Sequence, residues 1–252
     1  KVTGVQTCAL PIWTEDVMKQ MDPNACINMQ ETIRYLGYGN DEPDENIKEE
    51  LEICKNAILK VMEPKYMYKV FPVQRDEDEW YVGDHQLVLA GDSIKEHLAD
   101  CEYVALSCAT LSEGVDELID ETQKHDMLHS LLLDSLANAA IEEVRMDLEK
   151  SLANEYLDYE INWQFGIGYG DLPLSLQKEF LTLIKAKEEI GVRTNDASIL
   201  IPLKSVSGFI GLKRKGNNFK QERTEEVHKK TCGRNNCESC VMKDRCMFRK
   251  RL

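Results

Sequence analysis

Cys232, Cys237, Cys240 and Cys246 fall within fifteen residues in a Cys-x4-Cys-x2-Cys-x5-Cys array. Four thiolates this close can surround one tetrahedral centre, and the turn formers Gly233, Arg234, Asn235 and Asn236 let the chain fold back around it. Free or disulfide-paired thiols are the alternative, which suits a reducing compartment poorly. The spacing accommodates zinc or a [4Fe–4S] cluster. Lys229, Lys230, Arg234, Lys243, Arg245 and Arg249 would offset the negative charge of a thiolate-held cluster, which favours iron–sulfur, although basic residues around a zinc tail facing an acidic partner are also compatible.

A second candidate is Gly166-Ile-Gly-Tyr-Gly-Asp171, where Gly166, Gly168 and Gly170 alternate around Tyr169. No strand-to-helix crossover surrounds it, which disfavours a dinucleotide loop. Either its backbone approaches a ligand closely, because glycine lacks the Cβ that would block contact, or it is an ordinary tight turn. Of the histidines at 85, 97, 125, 129 and 228, His125 and His129 stand four apart on an expected helix. No glutamate follows in a zincin arrangement, so they read as a solvated helical face. No nucleophile elbow or phosphate loop is present.

The elements that position these groups follow from periodicity. Ile47, Leu51, Cys54, Ile58 and Val61 form one apolar stripe, predicting a helix over 44–62 that Pro64 ends. Lys65–Val73 reads as a strand, Leu87–Leu89 as a short one and Tyr103–Ala109 as an apolar run of strand length. Asp92 or Ser93 caps a short helix through Leu98, and Val115, Leu118 and Ile119 mark another. From 126 to about 156 the chain lacks Gly and Pro, and Leu128, Leu131, Leu132, Leu136, Ala139, Ala140, Val144 and Leu148 give a central helix its apolar side. A helix is expected from Ser175 to Gly191, then two strands over 198–203 and 205–212 around Pro202-Leu-Lys204. Helices and strands mix without a βαβ rhythm, so the expected class is α+β.

The 252 residues, 42% apolar, suffice for one main core. Lys1–Ile12 reads as translated sequencing adapter and is set aside, so Cys8 carries no information. The expected organisation is an α+β domain over 13–212, a polar linker over 213–230 and the four-cysteine tail over 231–252. Cys26, Cys54, Cys101 and Cys108 lie in apolar periodic segments and read as reduced core thiols. Residues 213–252 carry 13 Lys/Arg against 5 Asp/Glu, a net of +8, leaving 18 against 40, or −22, for residues 1–212. So acidic a body argues against nucleic acid as its partner. No apolar window reaches a membrane span and no secretory signal is readable, so the expected location is cytoplasmic.

Three segments in order carry a resemblance: Arg34-Tyr-Leu-Gly-Tyr-Gly39, Gly166–Pro173 leading into Ser175-Leu-Gln-Lys178, and Pro202-Leu-Lys-Ser-Val-Ser-Gly208. Together they resemble the activation domain of cobalamin-dependent methionine synthase, more closely its stand-alone bacterial version, over residues 29–212. The resemblance implies a twisted antiparallel sheet with helices and binding of S-adenosylmethionine. It also implies a partner methionine synthase that lacks its own activation domain and holds the cobalamin, and an electron donor. The function implied is reductive remethylation of oxidised cobalamin, in which the chain needs no acid, base or nucleophile of its own because the cobalt is the nucleophile.

By position in the motif, Gly168 and Tyr169 match the ligand loop, with Gly166 beside them, and Ser205 and Ser207 match the strand lining the same region. One departure stands out: the family's usual arginine, five residues before the tyrosine, is here Gln164. A neutral amide in place of a charged fork lowers affinity for an amino-acid carboxylate by on the order of 1–3 kcal/mol. Arg193 or another cation could take its place. The alternative function is a metal-tailed scaffold that docks on a corrinoid protein without binding S-adenosylmethionine; a basic zinc knuckle for nucleic acid is more remote.

Overall fold

The structure is a computed structural model and describes residues 17–216, apart from 39–40 and 77–78. The cysteine array and the adapter-like opening lie outside the described residues. Along the chain, β1 (Val17–Gln20) leads through a 3-10 turn to α1 (Met29–Tyr35) and α2 (Glu45–Ile58). Then come β2 (Lys65–Pro72), the small strands β3 (Gln74–Arg75), β4 (Trp80–Val82) and β5 (Leu87–Val88), α3 (Asp92–His97) and β6 (Tyr103–Thr110). Helices α4 (Glu113–Gln123) and α5 (Met127–Glu155) precede β7 (Tyr159–Ile161) and β8 (Phe165–Gly166). Helices α6 (Gln177–Ile184) and α7 (Ala186–Ile190), then β9 (Arg193–Thr194), β10 (Leu200–Ile201) and β11 (Ser205–Arg214), complete the fold.

The main sheet runs β1-β2-β6-β11-β7, with β8 also pairing β11, and every pairing is antiparallel. Side chains alternate across it, as the pleat requires. Tyr66, Tyr68, Ala105, Ala109, Ile210 and Leu212 pack in the core that holds the buried face of α5. Met67, Val104, Leu106, Cys108 and Phe209 pack in the core that holds residues of α3, α6 and α7. Because both faces are covered, β6 is apolar almost throughout, which is why it reads as a continuous run and not as an alternation. The α+β class holds, as a curled antiparallel sheet between two helical layers.

Several expectations need correction. Leu128 and Leu131 are exposed, on the side of α5 turned away from the core, whereas Leu132, Leu136, Val144 and Leu148 are buried. The helix expected over 175–191 begins as a 3-10 turn at Leu174–Leu176 and breaks at Lys185, whose φ of 58° is left-handed; Gly191 ends α7. The strand expected over 198–203 is only Leu200–Ile201, and it pairs with β9 instead of the main sheet. His125 does not share a helix with His129, because Asp126 caps α5 between them and accepts from the His129 amide. His129 is partly buried between Glu50 and Asp126. Cys26, Cys54, Cys101 and Cys108 are buried free thiols, as their apolar settings predict. Among the described residues, no helix is long and apolar enough to cross a membrane.

Candidate functional site

A cavity of about 410 Å³ opens where α5, the β7–β8 region, the start of α6 and the β10–β11 connection meet. Gln164, Gly166, Tyr169, Ser205 and Ser207 all stand in its wall. Gly168 does not line it; its φ of +89° serves the turn instead.

The turn is built from close approaches. The Tyr169 amide donates to the Gly166 carbonyl at 3.2 Å, and the Leu172 amide to the Tyr169 carbonyl at 3.0 Å. A Cβ on Gly166 would fall 2.4 Å from the Tyr169 ring, and one on Gly170, where φ is +57°, would fall 2.5 Å from Ser93 Oγ. Asp171 then completes α3 from a distance: its carboxylate accepts the Asp92 and Ser93 amides at 2.6 and 3.0 Å, filling the role that the α3 cap residue, Gly91, lacks a side chain to play. Those amides hold its carboxyl below the ordinary value.

Opposite the turn, Gly208 pairs with Gly166 across β11 and β8. A Cβ on Gly208 would sit 2.5 Å from the Phe165 carbonyl oxygen and 2.8 Å from the Gln164 side chain, so only glycine lets this loop close on β11. Gln164 donates to Ser107 Oγ at 2.8 Å, and that hydroxyl donates to the Gly208 carbonyl at 2.9 Å. Ser207 accepts from the buried Gln177 amide at 2.6 Å, and Ser205 donates to Thr110 Oγ1 at 2.8 Å. Both serines therefore brace the wall they form. Below them Lys204 reaches Asp134 and Asn138 on α5, while Asp116 accepts the Leu203 and Lys204 amides, fixing the segment that follows the cis Ile201–Pro202 bond.

The charged part of the wall is absent from the sequence reading. Glu142 and Arg145, from α5, line the cavity. Arg145 donates through Nε to Glu142 at 2.9 Å and through Nη1 to Glu149, whose side chain is 6% exposed. Burial pushes the Glu149 carboxyl up, against the pull of Arg145 and of the Gln164 main-chain amide. Glu142, Arg145 and Glu149 stand at spacings of three and four, which puts them on one face of α5, among other charged residues of the same helix such as Glu143, Asp147 and Lys150. Arg193, one cation that could have stood in for the missing arginine, pairs with Glu113 and is not part of the wall. Trp163 adds an aromatic surface, backed by His97 at 4.6 Å and Phe165 at 5.4 Å between ring centroids. At the mouth, Tyr169, Leu174, Ile199 and Leu203 expose from 44% to 64% of their surface. Among the described residues, no group of three or more His, Cys, Asp or Glu side chains is arranged to hold a metal ion.

The model of the family described as vitamin B12 dependent methionine synthase, activation domain, matches residues 43–231. The chain belongs to that family. The match to the activation domain stops short of Cys232, so the four-cysteine array lies outside it. A crystal structure of the MetH reactivation domain bound to AdoHcy is similar in fold, with a TM-score of 0.61 at 13% identity, over 86% of this chain and 85% of that one. No curated protein matches this activation domain in sequence.

Proposed function

We propose that the chain holds S-adenosylmethionine in this cavity and presents its methyl group to the cobalamin of a partner methionine synthase, restoring a cofactor that has been oxidised. The observation that carries this reading is that one cavity gathers the Tyr169 loop and the Ser205–Ser207 strand, some forty residues apart in sequence. Its volume falls within the range of small-molecule sites. The similar reactivation domain carries AdoHcy, which is S-adenosylmethionine without the methyl group. Trp163 and Tyr169 offer flat surfaces for an adenine, and the Glu142 carboxylate attracts the cationic end of the ligand.

Cobalamin, held by the partner and given one electron by a donor, would supply the acceptor for the methyl group, and S-adenosylmethionine would leave as S-adenosylhomocysteine, while Trp163, Tyr169 and Glu142 would hold the ligand in the cavity. The chain contributes placement and exclusion of water. Its apolar rim of Tyr169, Leu174, Ile199 and Leu203 suits a partner surface around the corrin. The partner is a methionine synthase lacking its own activation domain.

We propose that Cys232, Cys237, Cys240 and Cys246 hold a [4Fe–4S] cluster that relays the electron, because zinc has no accessible redox change.

Calorimetric titration of the purified chain with S-adenosylmethionine tests the binding step, and saturable heat is expected. Silence at millimolar ligand, with a methionine synthase still retained in a pull-down, would favour a scaffold that docks without the ligand; the bond from Gln164 to Ser107 is the observation on that side.

A further inference from the structure

We propose that Arg145 forms the anion subsite of the cavity, holding the carboxylate end of the ligand from the α5 side. The proposal rests on the reading that the cavity binds S-adenosylmethionine. Among the described residues, Glu142 and Arg145 are the wall's carboxylate and its cation. Lys204 is drawn to Asp134 and Arg193 to Glu113, and neither lines the cavity. Gln164, at the position facing the same space, is neutral and spends an amide hydrogen on Ser107.

Arg145 has five donors in a planar fork. Nε serves Glu142 and Nη1 serves Glu149, while Nη2 has no acceptor among the described residues. Nor is Nη2 a sealed orphan, since it is not among the buried polar atoms that lack a partner. A guanidinium nitrogen that is still accessible, on a side chain only 12% exposed and standing in a cavity wall, is a site for one carboxylate oxygen. Glu149 is the positioning residue. It is packed beneath the arginine, tied also to the Gln164 main chain, and fixes the fork relative to the Tyr169 loop.

The test compares S-adenosylmethionine with its decarboxylated analogue by calorimetry on the full chain. The wild type should prefer the carboxylate-bearing ligand by about tenfold, the value of one charge-assisted hydrogen bond shared with competing glutamates. Arg145→Gln combined with Glu149→Gln, which avoids a stranded buried carboxylate, should bring the two ligands to equal affinity without weakening the analogue. Arg145→Lys keeps the charge but loses the fork, and should reduce the preference to about threefold even if the double variant fails to fold. Equal binding of both ligands to the wild type overturns the subsite alone, as does a full preference persisting in either variant. Failure of both ligands to bind the wild type overturns the cavity reading and the subsite together.

Discussion

Gln164 donates its side-chain amide to the Ser107 hydroxyl over 2.8 Å, joining the cavity wall to the buried strand β6. The position that the family resemblance assigns to a ligand-holding arginine is thus occupied by a group engaged with the sheet. Ser107 still donates to the Gly208 carbonyl, so its hydroxyl keeps a partner when Gln164 is replaced.

Gln164→Arg is expected to tighten S-adenosylmethionine binding by roughly tenfold, because it adds a charged fork to the wall. Loss of the Ser107 bond should cost about 1 kcal/mol of stability. Calorimetry and denaturant unfolding on the same preparation check both parts; unchanged affinity would show that this position does not face the ligand.

A pH response is expected at His97, the neighbour of Trp163 in the aromatic cluster. Its Nε2 is buried without a partner, and burial pushes its pKa from 6.5 down to about 4. The unfolded chain therefore takes up a proton that the folded chain refuses. Stability should be full above pH 6.5 and should fall as the pH drops towards about 4. Urea unfolding across that range should give a flatter profile for His97→Phe, and parallel profiles would contradict the assignment.

Much of the fold is legible in the sequence where one physical signal dominates. The stripe from Ile47 to Ile58 and the Gly- and Pro-free run that becomes α5 give their helices to within a few residues, because apolar period and helix length agree. The strands β1, β7 and β8 escape notice because each is four residues or fewer and is held by its neighbour in the sheet more than by its own composition. In the site, Tyr169, Ser205 and Ser207 come from motif resemblance, whereas Glu142 and Arg145 were invisible. Charges on a long helix usually read as a solvated face, and only the three-dimensional cavity shows this stretch of α5 facing the Gln164–Tyr169 loop.

For the tail, anaerobically purified protein should be brown, absorb broadly through the visible range, and lose its colour when any one of Cys232, Cys237, Cys240 and Cys246 is changed to serine. Colourless anaerobic protein containing one tightly bound zinc would make the tail a structural knuckle and require another route for the electron.

The most direct measurement uses a methionine synthase lacking its own activation domain, poised as cob(II)alamin, with a reductant and S-adenosylmethionine labelled in the methyl group. With this chain present, the label should pass to methylcobalamin and turnover should resume, and omitting the chain should abolish both. Equal labelling with and without the chain, or none in either case despite confirmed binding of S-adenosylmethionine, would contradict the reactivation role.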